Sequence, residues 1–535
     1  MTSSAQPPAT GTAPAPEGHP GEAARVVVIG AGLAGARLAQ HLGDGTVLIG
    51  EEAHSPYNRV LLAEVLAGRY GPEVIALPTP RSPVLRTRAV RVDRTERRVL
   101  CADGTVVPYT TLVLATGSNP VLPPLRGLFA PGAGELPGGV HAFRTMDDCL
   151  ALSAAVTEGV RVVVIGGGLL GVSAARALAC RGAQVVLVQQ AERLMERQLD
   201  PTSSELVHRH LTGLGVEVHT ECRVRGVRVT DGAVRGVVLA DGYLLETELT
   251  VVACGVRPRT GLARAAGLDV RRGVVVDDLL RTSDPHIRAI GDCAEHDGRV
   301  YGLATPAVEQ ADALAEALIR DAAEGGPSGR NALGEAAASL NAPRRDEADR
   351  DHANRHAADR DDPDQAAASL NAPRRDEADR DHANRHAADR DDPSQGAGAD
   401  AASRTAPRRD DTPHAPPGQI SPTPNTPTPQ PLHLPARPYT GTRALTRLTL
   451  PGPGPLDLAA FGDPEPRPDD DVVQLTDATR GTYRKVVVRD GRLVGGVLLG
   501  ELAAVGALAR AWEADDPLPD DDSPLLHLLA HDGGR

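Results

Sequence analysis

The sequence predicts an α/β fold: two doubly wound, mainly parallel sheets, followed by a small α+β domain. Three observations carry this expectation. A strand, glycine loop and helix occur in succession twice, beginning at Val26 and at Arg161. Each unit is answered later by a strand that ends in small residues, at Ala115-Thr116-Gly117 and at Ala253-Cys254-Gly255. Composition then breaks near Glu324, and ordered patterning returns at about Pro438.

In the first unit, Val26 to Ile29 read as a buried parallel strand, and Leu33, Leu38 and Leu42 mark the buried side of the helix that follows. Between them lies Gly30-x-Gly32-x-x-Gly35. Gly30 permits the tight turn, Gly32 lets a pyrophosphate approach the backbone, and Gly35 lets helix and strand pack closely. The free N–H groups at the helix start favour phosphate. A second strand, Thr46 to Ile49, ends at Gly50-Glu51-Glu52, about 20 residues on. Glu52, ahead of Glu51, is the candidate for the adenosine ribose hydroxyls. Ser55 to Arg59 read as a turn into the apolar segment Val60 to Leu66. Two extended runs flank Asp103-Gly104 as a hairpin, and Leu112 to Gly117 form the return strand.

The second unit repeats the pattern. Arg161 to Ile165 are the strand, Gly166-x-Gly168-x-x-Gly171 the loop, and Val172, Ala175, Leu178 and Ala179 the helix face. Strand Val185 to Val188 follows and ends at Gln189; Thr250 to Ala253 return toward Gly255. Two complete Rossmann-like fingerprints in one chain imply hydride exchange between two bound nucleotides. Thr282 to Asp292 close the first domain, and residues 305 to 319 read as a helix with Thr305 as N-cap, Pro306 at its first position and Glu309 in its first turn. Residues 336–365 and 366–395 are a tandem copy differing only at Asp364 and Ser394. With one Leu per copy and a Pro/Thr/Ala-rich stretch after it, the whole insertion is expected to be disordered. Its His352/His356 and His382/His386 pairs are read as solvated, with no metal assigned. Beyond it, Val472 to Leu475, Thr482 to Val488 and Leu493 to Leu499 read as strands, Leu502 to Trp512 as a helix, and Asp469-Asp470-Asp471 as a solvated turn.

Composition limits the function. A net charge of -14, with no basic run interleaved with aromatics, argues against nucleic acid. Six scattered cysteines exclude Cys-x-x-Cys metal or iron–sulfur spacing. The first 24 residues read as a flexible tail without the basic start and apolar core of a signal peptide. No apolar run reaches the ~18 residues of a membrane span. A cytoplasmic protein is expected.

The motifs together resemble the FAD-dependent pyridine nucleotide oxidoreductases, most of all the flavin module of the assimilatory nitrite reductase large subunit. The residues that carry the resemblance are Tyr57 to Leu62, Phe143-Arg144-Thr145-x-Asp147-Asp148, Gly167 to Gly171, Leu194 to Asp200, and Tyr301-Gly302-Leu303 with Glu309-Gln310-Ala311. It implies an FAD-binding domain over 25–135 and 265–325, interrupted by an NAD(P)-binding domain over 136–264. It further implies a small C-terminal domain over 437–515, with 326–436 as insertion and 516–535 as tail. FAD would rest on Gly30, Gly32, Gly35, Glu52, Arg59, Thr116, Gly117 and Asp292, and NAD(P)H on Gly166, Gly168, Gly171, Gln189 and Gly255. No side chain is assigned a catalytic role. The helix from Thr305 would point its N-terminus at the flavin. Three departures from the family pattern stand out. Ser173 replaces the usual Glu near the nicotinamide, Gln189 is neither acid nor base, and no cysteine follows Cys293 to hold iron–sulfur or siroheme centres. Disulfide reductase relatives are disfavoured, because no Cys-x4-Cys follows the first loop. The implied activity is electron transfer from NAD(P)H through FAD to a separate iron–sulfur, siroheme or molybdenum partner in nitrite or nitrate assimilation. A ferredoxin or rubredoxin reductase serving an oxygenase, and a slow regulatory FAD-binding protein, are the alternatives. The sequence leaves the oligomeric state open.

Overall fold

The computed structural model describes residues 26–324 and 438–518, apart from 79–80, 82, 130–133, 444, 452–453 and 478. The expected N-terminal tail, the insertion with its histidine pairs, and residues 519–535 of the expected C-terminal tail lie outside the described residues.

Two five-stranded parallel sheets organise the chain. The first runs Ile287–Ala289, Thr111–Leu114, Val26–Ile29, Thr46–Gly50, Val84–Arg86. Its central strand is apolar throughout and covered on both faces, as a parallel strand between helices must be. The second runs Glu217–His219, Gln184–Val188, Arg161–Ile165, Leu249–Val252, Val140–Ala142. Because Ile287–Ala289 returns to the first sheet after the second is complete, the second sheet is inserted in the first. Both return strands lie directly beside their glycine-loop strands. The Asp103-Gly104 hairpin forms as expected between Arg98–Cys101 and Val106–Pro108.

The helices follow the sequence pattern with two corrections. In Leu33–Leu42, Leu38 and Leu42 are fully buried but Leu33 is only partly covered; Ala34 and Ala36 take the inner face beside the loop, where only small side chains fit. The later helix spans Ala304–Glu324, so Thr305 lies inside it and is not the N-cap, and Glu309 falls in the second turn. Pro306 is then its third residue, which costs nothing because first-turn N–H groups have no partner within the helix.

The C-terminal domain is a five-stranded antiparallel sheet in the order Leu445–Leu450, Leu456–Gly462, Arg492–Leu499, Thr482–Arg489, Asp471–Asp477, with helix Val505–Ala514 against it. Its first two strands, Leu445–Leu450 and Leu456–Gly462, were not expected from the sequence. Trp512 packs on Phe461 with ring centroids 5.3 Å apart on one face. On the other, Leu458, Tyr483, Val497 and Leu499 join the core formed by Val172, Leu178 and Leu199. Asp470 is not a solvated turn residue: Arg489 donates to both its oxygens at 2.8 and 2.7 Å, and its carboxyl is held at about 2.

Helices Leu33–Leu42 and Ala304–Glu324 are joined by Asp312, which accepts from Arg37 Nε at 2.7 Å and Nη2 at 3.0 Å, with His41 Nε2 at 2.8 Å. Burial pushes the Asp312 carboxyl up, but His41 and Arg37 outweigh it and hold it at about 2. A folded value below the unfolded one stabilises the protein fully above the ordinary carboxylate range and loses that contribution as pH falls toward 2. Asp312→Asn should therefore cost about 1 kcal/mol at neutral pH, a figure reduced for partial exposure. Urea unfolding of the two proteins at neutral pH and near pH ~3 checks this; the gap should narrow in acid.

Candidate dinucleotide sites

Each glycine loop is built by backbone contact. A side-chain carbon on Gly30 would sit 2.1 Å from the carbonyl oxygen of Ala115, and one on Gly35 would sit 1.9 Å from that of Gly30. The second loop repeats this: Gly166 meets the Ala253 oxygen at 2.5 Å, and Gly171 meets that of Gly166 at 1.7 Å. Gly30 and Gly166 also lie at φ +116 and +111, which side-chain-bearing residues avoid. The middle glycines differ. Nothing lies within 4 Å of the position a Cβ would take on Gly32 or Gly168. Both precede helix starts whose first N–H groups lack helical partners, so the loops have the shape and polarity that fit a phosphate chain.

Around the first loop the acidic residues are already engaged. Glu52, partly buried after the strand Thr46–Gly50, accepts from Tyr57 Oη at 2.6 Å and from Arg59. Tyr57 Oη in turn accepts from Arg59 Nη1 and from the Met146 N–H, both at 2.8 Å. Burial, with Glu52 beside it, keeps that phenol protonated against the opposing charge of Arg59. Glu51 pairs with Arg259, outside this cluster. Thr116 donates to the Arg259 carbonyl at 2.8 Å, and Gly117 turns the chain at φ +71. Asp292 accepts from Ser118 Oγ at 2.8 Å and from Arg144 Nη2 at 2.6 Å, both at Oδ2. The Arg144 carbonyl accepts from Arg59 at 3.2 Å, so one chain of hydrogen bonds runs from Glu52 to Asp292.

Around the second loop, Gln189 Oε1 accepts from the Gly167 N–H at 2.9 Å and its Nε2 donates to the Arg193 carbonyl at 3.3 Å. The residue that ends the strand thus braces the loop itself. Gly255 turns the return strand at φ +96 with open space around it. Val256–Pro258 then pairs antiparallel with Ser118–Pro120, tying the inserted sheet to the first. Ser173, at the position noted for its missing acid, is buried and donates to the Leu169 carbonyl at 2.8 Å within its own helix.

Sequence reasoning assigned no role to Tyr57, Ser118 or Arg144. Tyr57 and Arg144 lay inside quoted motifs, but their partners stand up to 148 positions away, and no local pattern shows that. Among the described residues no group of His, Cys, Asp and Glu could hold a metal ion, and no helix is long and apolar enough to cross a membrane.

Comparison with known proteins now defines the class. Two dinucleotide folds, one inserted in the other, are the architecture of FAD-dependent pyridine nucleotide oxidoreductases. The chain belongs to the pyridine nucleotide-disulphide oxidoreductase family, whose model matches residues 24–311; residues 455–514 match the rubredoxin NAD+ reductase C-terminal domain. FAD and NAD(P)H are the cofactors this membership brings. The chain is 37% identical over 305 residues to nitrite reductase [NAD(P)H] of Bacillus subtilis, covering 55% of this chain and 37% of that protein. It is 36% identical over 305 residues to the assimilatory nitrate reductase electron transfer subunit of the same organism, covering 54% and 38%. The chain thus spans little more than a third of the length of these relatives. A covalent putidaredoxin reductase–putidaredoxin complex shares the fold at TM-score 0.65 and 21% identity, over 95% of this chain and 98% of that one.

The loop geometry makes a separable prediction. Gly35→Ala must push a helix off its own loop and should cost about 3 kcal/mol or more, whereas Gly32→Ala, entering open space at φ -80, should stay within about 1 kcal/mol of the parent. Denaturant unfolding of the two variants measures the difference.

Proposed function

We propose that this chain carries electrons from NAD(P)H through FAD to a separate redox protein, in nitrite or nitrate assimilation. The observation that supports it most is the pair of glycine loops with open space before Gly32 and Gly168, in a chain of this family. The nitrite and nitrate reductase relatives support the process. Within this chain the six cysteines are scattered, so the centre that would bind nitrite belongs to another polypeptide or segment.

In this reading, the first loop and the helix after it hold the FAD pyrophosphate on Gly30, Gly32 and Gly35. Glu52, oriented by Tyr57 and Arg59, meets the adenosine ribose; Thr116 and Gly117 leave room where the return strand passes the cofactor. Asp292 keeps one oxygen on Ser118 and Arg144, and the other is available to a sugar hydroxyl of the ribitol chain. The start of Ala304–Glu324 favours negative charge near it through its aligned peptide dipoles. The second loop, Gly166, Gly168 and Gly171 with Gln189 bracing it and Gly255 opposite, holds NAD(P)H. Bound FAD supplies a two-electron acceptor able to release electrons singly; the protein's task is to orient both nucleotides and exclude water.

The match of residues 455–514 to a rubredoxin reductase C-terminal domain favours a second reading, a reductase for a ferredoxin- or rubredoxin-type acceptor. The two readings differ in which acceptor protein is reduced fastest.

The protein alone should reduce ferricyanide with NADH or NADPH and form no ammonium from nitrite under anaerobic conditions. Ammonium formed at a comparable rate with no second protein present contradicts the proposal. Asp292→Ala should lose a charge-assisted bond of about 1.5–3 kcal/mol and with it FAD on dialysis. Full flavin occupancy after dialysis would remove Asp292 from the site.

A further inference from the structure

The segment Leu194 to Asp200 is packed on the second glycine loop. Met195, held at φ +50, donates its N–H to the Gly167 carbonyl at 2.8 Å, and Leu194 fills the space where Gly167 lacks a side chain. The segment closes on itself, because the Gln198 and Leu199 N–H groups both return to the Met195 carbonyl, at 2.8 and 3.0 Å. Leu194, Met195 and Leu199 are each at most 1% exposed. The loop peptide before Gly168 is therefore fixed by whatever fixes this segment.

Asp200 fixes its far end, and Asp200 is held from both sides. Oδ1 caps helix Pro201–Gly213 by accepting from the Ser203 N–H at 2.9 Å and from the Ser203 hydroxyl. Oδ2 accepts from Tyr483 Oη at 2.6 Å and from Lys485 Nζ at 2.7 Å, both on strand Thr482–Arg489 of the C-terminal domain. Residues two apart on a strand share a face, so this pair reaches out together. All three side chains are buried: Asp200 is 2% exposed, Tyr483 0% and Lys485 7%. Burying a lysine and a carboxylate seldom adds net stability over apolar packing, while it does fix one geometry. Leu458, Val497 and Leu499 bury that face of the domain beside the pair.

We propose that Lys485 and Tyr483 are positioning residues for the nicotinamide nucleotide. Through Asp200 they set the Leu194–Asp200 segment, and through Met195 the Gly167–Gly168 peptide, against which the NAD(P)H pyrophosphate rests. The proposal depends on the second loop being the NAD(P)H site. It gives the C-terminal domain a part in nucleotide binding through contacts that lie outside the glycine loops themselves.

The test uses the FAD-loaded full chain, with ADP-ribose binding by calorimetry, flavin content and melting temperature as readouts. Lys485→Met leaves a carboxylate buried with one partner fewer; it should lower the melting temperature and weaken ADP-ribose about tenfold, with flavin content unchanged. Adding Asp200→Asn keeps a capping side chain and removes the unpaired charge, so the melting temperature should recover while ADP-ribose binding stays weak. Tyr483→Phe, which removes one hydroxyl, should fold normally and weaken ADP-ribose about threefold. In turnover, KM for NAD(P)H should rise in all three with kcat nearly unchanged. Parental ADP-ribose affinity in Lys485→Met and Tyr483→Phe, or affinity that recovers with stability in the double variant, would overturn the positioning role. A parent protein that retains FAD yet binds neither ADP-ribose nor NAD+ would instead overturn the second loop as the nucleotide site.

Discussion

The structure depends on backbone touching backbone at the two glycine loops. Gly35 rests on the carbonyl of Gly30, and Gly30 on that of Ala115; Gly171, Gly166 and Ala253 repeat the arrangement. No side chain fits at these contacts, so helix, loop and return strand are locked at one spacing. The lock leaves the N-terminal amides of each helix facing open space at Gly32 and Gly168. In the proposed function, the two nucleotides are held at those two openings.

Holding the two units together requires contacts that cross between sheets. Arg144, from the segment after Val140–Ala142, reaches Asp292 near the end of the first domain, and Ser118–Pro120 pairs with Val256–Pro258. Arg144 Nη2 and Asp292 are both largely covered, which makes a charge-assisted bond there more persistent than a surface pair. On the other side, the C-terminal domain is joined to the inserted unit by Lys485 with Asp200 and by Arg193 with Glu465, in addition to its apolar face. The C-terminal domain is thereby attached to the unit that carries the second glycine loop.

Much of this was legible in the sequence because it is local. Both fingerprints, their buried strands, the return strands and the Asp103-Gly104 hairpin follow from glycine spacing and apolar runs of a few residues. The family also followed, since the motifs at Tyr57, Arg144 and Leu194 carry it. What escaped was of two kinds. Leu445–Leu450 and Leu456–Gly462 escaped because their residues carry no clean two-residue alternation of apolar and polar side chains. The partners of Glu52, Asp292, Gln189 and Asp200 escaped because a carboxylate or amide at a strand end, turn or helix start looks solvated until the fold brings up its donors. Asp470 shows the same limit: three successive aspartates read as a turn, yet Arg489, 19 residues away, claims the middle one. Gln189 is the instructive case, since its side chain braces the loop backbone, a role that neither an acid nor a base at that position would suggest.

The central claim is that nicotinamide nucleotide and flavin exchange electrons within this one chain. Anaerobic titration of the FAD-loaded protein with NADH, and in parallel with NADPH, tests it most directly through the oxidised-flavin absorbance. Stoichiometric bleaching by at least one of the two nucleotides is the expected result. An oxidised spectrum that persists under excess of both would contradict it.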